Sequence, residues 1–254
     1  MGGDVAIPKQ GPVVAIDGPA GTGKSSATRR LADVLGFVHV DTGALYRAIA
    51  HLTMEKLQMD VKVPKDDGPS LDFASPAFRS TAVEIARSAH LEFKRDGRKN
   101  PANRILANGK DVTTFIRTPE VSMAASKVSA LPEVRAALLG LQRRLGCVGR
   151  SILEGRDIGT VIFPDADVKF FLTASIGERA KRRLIELEAA GADAPSFEEV
   201  KRQIAERDQG DMTRSVAPLK KAPDAVELDT SDLTLDQVVQ RMEATVKERL
   251  KARK

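Results

Sequence analysis

Cysteine, tyrosine, histidine and tryptophan are scarce in this sequence. The 254 residues include one cysteine, one tyrosine, three histidines and no tryptophan. A single cysteine, Cys147, excludes an internal disulfide framework, and the scattered histidines show no zinc-binding spacing. No apolar run approaches the ~18 residues of a membrane span, and no charged and then apolar leader opens the chain. We therefore expect a cytoplasmic protein that does not bind a membrane.

Charged residues are abundant, and their balance is basic. They make up 30% of the chain, with 40 Lys and Arg against 35 Asp and Glu and a formal net charge of +5. This balance suggests polyanionic ligands. Arginine outnumbers lysine, 23 to 17, which favours defined phosphate sites because the guanidinium group forms paired bonds. The scarcity of Trp and Tyr argues against stacking on single strands, so we expect no nucleic-acid partner.

Short apolar segments alternate with amphipathic ones along most of the chain. The first apolar strand, "PVVAID", precedes a Gly-rich turn and a helix from about Lys24 to Leu35, which is expected to bury Ala27, Leu31, Val34 and Leu35. Later strands are predicted at "FVHV", "SILEG", "VKFFLTA" and "AVELDT". This alternation predicts an α/β fold with a parallel sheet flanked by helices.

The pattern changes between residues 60 and 118. Prolines punctuate this segment, and "DG" at 96–97 and "NG" at 108–109 are hairpin signals. Helical patterns resume at Pro119 and Pro132, each suited to a first helical turn. We predict three parts: a flexible tail at 1–11, a core built from 12–59 and 119–254, and an inserted lobe at 60–118.

The most specific motif is "GPAGTGKS" at 18–25, which matches the G-x-x-x-x-G-K-[ST] pattern of a phosphate-binding P-loop. Its glycines allow backbone N–H groups to point at phosphates. Lys24 is placed to reach the β- and γ-phosphates, and the Ser25 hydroxyl is placed to ligate Mg²⁺. The motif predicts an ATP site formed by Gly18, Pro19, Ala20, Gly21, Thr22, Gly23, Lys24, Ser25 and Ser26.

Charged residues also stand where other strands and helices are predicted to end. "DTGALYR" at 41–47 and "EGRDIGT" at 154–160 each follow a strand, at the edge of a parallel sheet where ligands bind. Two helices carry further groups, namely Arg179, Arg182 and Arg183 on one face and Arg207, Asp211 and Arg214 around a helix end. Beside a triphosphate site, these helices are typical of a lid that neutralises transferring charge, although solvated helix faces are an alternative.

The richness in arginine favours a phosphate as the acceptor. The second pKa of a phosphate is ~6, so at pH 7 the nucleophile is already largely ionised. Such a reaction needs charge neutralisation more than a general base, and two phosphate groups must be brought together. Arginine and lysine supply that neutralisation.

Seven ordered blocks resemble the bacterial cytidylate (CMP) kinases, a family of P-loop nucleoside monophosphate kinases. The blocks are "IDGPAGTGKSS", "DTGALYR", "AASKVSALPEVR", "EGRDIGTVIFPDADVKFFLTAS", "ERAKRR", "ERDQGDMTRSVAPL" and "AVELDTS". The resemblance implies a P-loop core, a short lid at about 175–215 and an inserted lobe that binds the nucleoside monophosphate (NMP). It also implies transfer of the γ-phosphoryl group of ATP to CMP or dCMP, with Mg²⁺ as cofactor.

The resemblance further implies roles for individual residues. Arg47 and Arg156 would hold the acceptor phosphate, and Glu154 would act on Mg²⁺ through water beside Ser25. The residues implied for CMP binding are Thr42, Arg47, Ser126, Arg135, Arg156, Asp157, Arg207, Asp211 and Arg214. Those implied for catalysis are Lys24, Arg156, Arg207 and Arg214, and those for the lid are Arg179, Arg182 and Arg183.

The chemistry of the base supports cytidine independently. Cytosine presents an amino donor and a ring acceptor, which suit the carboxylate of Asp157 and the guanidinium of Arg135, whereas uracil presents an acceptor to the carboxylate. The alternatives are a uridylate, adenylate or shikimate kinase, an ATPase that binds nucleic acid, and a nucleotide-binding protein without activity. We expect a monomer whose ligands are ATP and CMP or dCMP.

Overall fold

The described part of the chain divides into two compact units. The structure is a computed structural model and describes residues 8–59, 72–94, 104–189 and 195–252. One unit combines residues 1–40 with 143–254, and the other comprises 41–142. The second unit is wider than the lobe predicted at 60–118. Because residues 60–71 and 95–103 lie outside the described part, the boundaries of that lobe stay a prediction.

The described residues form eight strands and eight α-helices, numbered in chain order. The strands are β1 (Val13–Asp17), β2 (Val38–Asp41), β3 (Leu91–Lys94), β4 (Arg104–Ala107), β5 (Lys110–Asp111), β6 (Ser151–Gly155), β7 (Val168–Thr173) and β8 (Val226–Asp229). The helices are α1 (Lys24–Leu35), α2 (Thr42–Lys56), α3 (Pro76–Ser88), α4 (Pro119–Ser129), α5 (Pro132–Cys147), α6 (Ile176–Ala189), α7 (Phe197–Thr213) and α8 (Leu235–Lys251). A 3₁₀ turn covers Phe115–Arg117, and a π-helical turn covers Ile158–Ile162. Within these described ranges, no helix is both long enough and apolar enough to cross a membrane.

A five-stranded sheet in the order β2-β6-β1-β7-β8 lies at the centre of the first unit. β1 pairs in parallel with β6 and β7, and β7 pairs in parallel with β8. Val14 and Ile16 of β1 share one apolar cluster with Leu31 of α1 and Met242 of α8. Such burial explains why these strands read as continuous apolar runs. The predicted α/β fold is confirmed.

Helix α1 has its predicted bounds and ends at Gly36, whose φ of 65° lies in the left-handed region. The prediction that Val34 is buried is wrong, since it is 51% exposed. The buried face of α1 includes Thr28 and Ala32. Val34 lies outside that face.

An antiparallel sheet of β3, β4 and β5 belongs to the second unit. Asn108 and Gly109 join β4 to β5, and both have positive φ, 51° and 81°. The hairpin predicted from "NG" is therefore confirmed, whereas the "DG" signal at 96–97 lies outside the described residues. Helices α4 and α5 begin at Pro119 and Pro132, as predicted.

The start of the described chain is bonded to the first unit. Lys9 Nζ donates to the carbonyl oxygen of Asp165 at 2.8 Å, and the Gln10 N–H donates to that of Cys147 at 3.1 Å. The flexible tail was predicted at 1–11, and residues 1–7 of it lie outside the described part.

Candidate active site

A tight Gly-rich loop connects β1 to α1. Gly18 has φ of 145°, and a Cβ on it would lie 2.1 Å from the carbonyl oxygen of Leu172, so only glycine fits there. Gly21 and Gly23 lie in the left-handed region, with φ of 76° and 80°. The strand, loop and helix that a P-loop requires are therefore present, with the N-terminal N–H groups of α1 at the loop.

Lys24 is buried at the start of α1. Its ammonium group donates to the carbonyl oxygen of Pro19 and to the hydroxyl of Thr22. Burial lowers the pKa of Lys24 well below its usual value, the charge of Arg156 lowers it further, and Glu154 opposes both effects. An anionic phosphate beside Nζ would favour the charged form.

Both carboxylate oxygens of Glu154 are engaged. Ser25 Oγ donates to Oε2 at 2.6 Å, and His39 Nε2 lies 2.8 Å from Oε1. Hard oxygen donors suit Mg²⁺, which usually takes only one or two protein oxygens and completes its shell with phosphate and water. Among the described residues, no group of three or more His, Cys, Asp or Glu side chains could hold a metal. Ser25 and Glu154 thus fit an ion that arrives with a nucleotide.

Four of the predicted site residues form one chain of alternating charge. Arg156 Nε donates to Asp211 Oδ2 at 2.9 Å, and Arg214 lies 3.5 Å from Asp211 on one side and 3.5 Å from Asp157 on the other. None of the four side chains is more than 19% exposed. The structure thereby brings together the segment after β6 and the C-terminal end of α7. We call these four residues the ion-pair chain.

Asp17, at the end of β1, holds the segment that carries Asp157. Its Oδ1 accepts the N–H of Ile158 at 2.8 Å, and its Oδ2 accepts that of Gly159 at 2.7 Å. These are the first residues of the π-helical turn. Burial raises the pKa of Asp17 to about 6, although both backbone bonds act in the opposite direction. Neither Asp17 nor His39 was predicted as a site residue, because the sequence marks each only as a polar residue within or at the end of an apolar strand.

Arg179, predicted in the lid, is buried beneath the P-loop. It donates to the carbonyl oxygen of Ala20 at 3.2 Å and to Asp208 Oδ2 at 2.5 Å. It therefore ties α6 to both the P-loop and α7. Arg207, the neighbour of Asp208, acts on Lys24 through its charge and lowers the pKa of that lysine.

The other two predicted lid arginines have different partners. Arg182 donates to the carbonyl oxygen of Thr230 at 2.7 Å and to its hydroxyl at 3.1 Å. Arg183 donates to Glu186 at 3.1 Å on the surface of the same helix. The three arginines thus point to separate partners, and their role in a lid stays a prediction.

In the second unit, Asp41 orders the start of α2. Its Oδ1 accepts the N–H of Ala44 at 3.1 Å, and its Oδ2 accepts a bond from Arg47 Nη2 at 2.7 Å. Thr42, the first residue of the helix, is buried. The guanidinium of Arg47 is therefore oriented by a carboxylate of its own segment.

Arg135 lies in α5, near the end of the same unit. Its guanidinium lies over the Tyr46 ring at 5.4 Å from the ring centre, and its Nη1 donates to the carbonyl oxygen of Ser129 at 3.1 Å. Ser126 lies one turn before Ser129 in α4, and its carbonyl accepts the Ser129 hydroxyl at 3.0 Å. Arg135 and Arg47 are therefore oriented by different groups.

A buried lysine in a glycine-built P-loop, on a parallel sheet with charged residues after its strands, is typical of the phosphate-binding α/β proteins. Residues 14–248 match the family described as cytidylate kinase. The chain is 48% identical to a cytidylate kinase of Citrifermentans bemidjiense over 96% of this chain and 97% of that one. It is 46% identical to a cytidylate kinase of Geobacter sulfurreducens over 97% of each. The chain belongs to the cytidylate kinase family.

Proposed function

We propose that this protein transfers the γ-phosphoryl group of ATP to CMP or dCMP, giving ADP and CDP or dCDP. The observation that carries the proposal is the register of β1 against β6, in which Asp17 stands opposite Gly155. The next residues along these neighbouring strands are Gly18, which opens the P-loop, and Arg156, which opens the acceptor segment. Donor and acceptor groups therefore leave adjacent strands at the same edge of the sheet.

ATP is bound by the P-loop, residues 18–26. Its backbone N–H groups and the N-terminus of α1 face the phosphates, and Lys24 neutralises charge on the β- and γ-phosphates. Burial opposes the charged form of Lys24. The negative charge of a bound phosphate would therefore stabilise its ammonium group.

CMP is bound by groups of two kinds. Arg47 and Arg156 hold its phosphate, with Thr42 nearby. Ser126, Arg135 and Asp157 read the cytidine, where Asp157 accepts from the amino group that uracil lacks. Arg207, Asp211 and Arg214 complete the contacts to the sugar and the transferring phosphate.

Ser25 and Glu154 would hold the Mg²⁺ ion that accompanies ATP. When bound, the ion neutralises charge on the phosphates. Glu154 acts through water, because its oxygens are already bonded to Ser25 and His39. His39 and Ser25 thus fix the direction of that carboxylate.

The transfer is direct. An oxygen of the CMP phosphate attacks the γ-phosphorus in line, the bond to the bridging oxygen breaks, and its electron pair leaves on ADP. The phosphate is already ionised, so no side chain removes a proton. Lys24 and the arginines of the site neutralise the charge that is shared during transfer. We further propose that the enzyme works in the cytoplasm, as a monomer and without a nucleic-acid partner.

The test is to incubate the full chain with ATP and Mg²⁺ and one nucleoside monophosphate at a time, and to measure ADP. CMP or dCMP is expected to give the highest rate, ahead of UMP, AMP and GMP. Lys24→Met should lower that rate by about 100-fold or more with the fold intact. Lys247→Met is the matched control, since Lys247 pairs with Glu243 on the exposed face of α8, and it should leave the rate unchanged.

Three results would refute the proposal in different ways. Equal rates with all five monophosphates would remove the specificity for cytidine. Stimulation of ATP turnover by single-stranded RNA or DNA, but not by CMP, would indicate a nucleic-acid ATPase. ATP binding without any diphosphate product would indicate a binding protein.

A further inference from the structure

Asp17 holds both ends of the two-residue segment formed by Arg156 and Asp157. At one end, the backbone of Asp17 stands opposite Gly155 in the parallel pairing of β1 with β6. At the other end, its carboxylate accepts the N–H groups of Ile158 and Gly159 at 2.8 and 2.7 Å. One residue therefore sets where this segment leaves the sheet and where it enters the π-helical turn.

The Asp17 carboxylate packs closely against the π-helical turn. The Asp17 side chain is buried, and each of its oxygens accepts one backbone N–H. On the loop side, a Cβ on Gly159 would lie 3.4 Å from Asp17 Oδ2 and 3.1 Å from Lys169 Cδ. The turn therefore lies against the carboxylate at contact distance, with the Lys169 side chain packed on the same glycine.

The same residue also begins the P-loop. Asp17 directly precedes Gly18, whose own position is fixed by its approach to the carbonyl oxygen of Leu172. Asp17 is thus connected to both proposed binding sites. The P-loop, which binds the donor, follows it in the chain, and the segment proposed to bind the acceptor is bonded to its carboxylate. Among the described residues, the carboxylate bonds only to the acceptor side, at Ile158 and Gly159, so we expect a change in it to affect the acceptor groups more than the P-loop.

We propose that Asp17 is a positioning residue for the acceptor, which fixes Arg156 and Asp157 relative to the P-loop. The proposal rests on the function proposed above, in which these two residues bind the phosphate and the base of CMP. Asp17 itself contacts neither substrate. Its effect is transmitted by the backbone between Gly155 and Gly159.

The decisive variant is Asp17→Asn. An asparagine has one acceptor oxygen, and its amide group would face one of the two N–H donors, so one of the two bonds is lost. Asp167→Asn is the matched control. Asp167 Oδ2 accepts the Val13 N–H at 2.8 Å, so this variant weakens a carboxylate-to-backbone bond at the opposite end of β1, away from the acceptor segment.

The measurements are kcat and KM for CMP and for UMP at saturating ATP, with thermal unfolding of each variant. Asp17→Asn is expected to raise the KM for CMP about 10-fold and to lower the preference for CMP over UMP by a similar factor. Asp167→Asn should change neither by more than about 2-fold, although both variants unfold at a lower temperature. If a folded Asp17→Asn protein behaves like Asp167→Asn, the inference is overturned.

Asp157→Asn separates this inference from the proposed function. If that variant keeps the full preference for CMP, the proposed role of Asp157 fails, and Asp17 is then judged by the KM for CMP, which Arg156 sets. If Asp157→Asn loses the preference and Asp17→Asn keeps both preference and KM, only the positioning role fails.

Asp17→Ser provides a second route if Asp17→Asn does not fold. The smaller side chain adds no bulk, and its hydroxyl oxygen can accept at most one of the two N–H groups of Ile158 and Gly159. The KM for CMP should rise in the same direction as in Asp17→Asn. An unchanged KM in a folded Asp17→Ser protein would contradict the proposal.

Discussion

His39 allows a direct experimental test of the magnesium site proposed at Ser25 and Glu154. It lies 2.8 Å from Glu154 Oε1, and Ser25 bonds to the other oxygen. His39→Leu removes one of these two restraints, so we expect the Mg²⁺ concentration that gives half the maximal rate to rise about 10-fold. His39→Gln, which keeps a side-chain N–H donor, should recover much of this loss.

Two measurements check this prediction, namely the Mg²⁺ dependence of the rate and Mn²⁺ binding in the presence of ATP by electron paramagnetic resonance. His90→Leu is the control, because His90 makes a similar contact with Glu92, 2.7 Å, on an exposed strand of the second unit. Equal metal affinity in His39→Leu and the parent protein would exclude the role.

Asp17 also makes stability depend on pH. Its pKa is raised from 3.8 to about 6 by burial, so the protonated carboxyl favours the folded state. The resulting stabilisation is complete below about pH 4 and is lost as the pH rises through about 6. Relative to Asp17→Asn, the free energy of unfolding should therefore fall by up to about 3 kcal/mol between those values. Urea unfolding across this range checks it, and parallel curves for the two proteins would contradict it.

Individual site residues were predictable where they are neighbours in sequence. The P-loop needs eight consecutive positions, and its glycines could be read directly because their backbone conformations are local. His39 and Asp17 could not be found in that way, since their partners lie 115 and 141 residues away. Arg179 was predicted as a charge-neutralising lid residue, and its buried bonds to Ala20 and Asp208 depend on how α6 and α7 pack.

At the scale of elements, replacing either of two glycines by alanine is expected to have opposite effects on stability. Gly18→Ala places a Cβ 2.1 Å from a backbone oxygen of β7, where neither side can yield. We expect a loss of several kcal/mol in the free energy of unfolding, about 3 or more, together with the loss of ATP binding. Gly210→Ala lies inside α7 with open space around the new Cβ, and it should stabilise the protein by about 0.5–1 kcal/mol.

Chemical unfolding and ATP binding, measured on both variants, test this pair. Gly210→Ala should retain ATP binding. A stable Gly18→Ala protein that still binds ATP would show that the P-loop backbone has more freedom than its φ values indicate.

Elements defined by local pattern were predicted well. The bounds of α1, the "NG" hairpin and the first-turn prolines of α4 and α5 all follow from residue type and spacing. The π-helical turn was not predicted, because its first two N–H groups are bonded by Asp17 of another strand. Helix α7 continues through Gly210 to Thr213, where its last turn carries Asp211 of the ion-pair chain.

At the scale of the whole molecule, all the residues proposed for ATP and CMP come from one chain. The proposed function therefore does not call for a second copy, and we expect a monomer of 27.4 kDa. Light scattering on the protein as it leaves a sizing column measures this mass. A mass of twice that value at micromolar concentration would contradict the prediction.

The class of fold was predictable and its strand order was not. Alternating apolar strands and amphipathic helices imply a parallel sheet, but they do not say which strands are neighbours. The observed order places β6 beside β1 although about 130 residues separate them. The pairing of β1 with β6 brings the segments that follow these two strands to adjacent positions.

The ion-pair chain has a consequence for competition among anions. Its two arginines and two aspartates, at Arg156, Asp211, Arg214 and Asp157, together carry no net charge and are largely screened from water. A chloride ion would have to displace a bonded carboxylate while offering a single charge and no paired acceptor geometry. A phosphate dianion offers twice the charge and several acceptor oxygens to each guanidinium. We therefore expect chloride to compete only weakly with the phosphate of CMP for these two arginines.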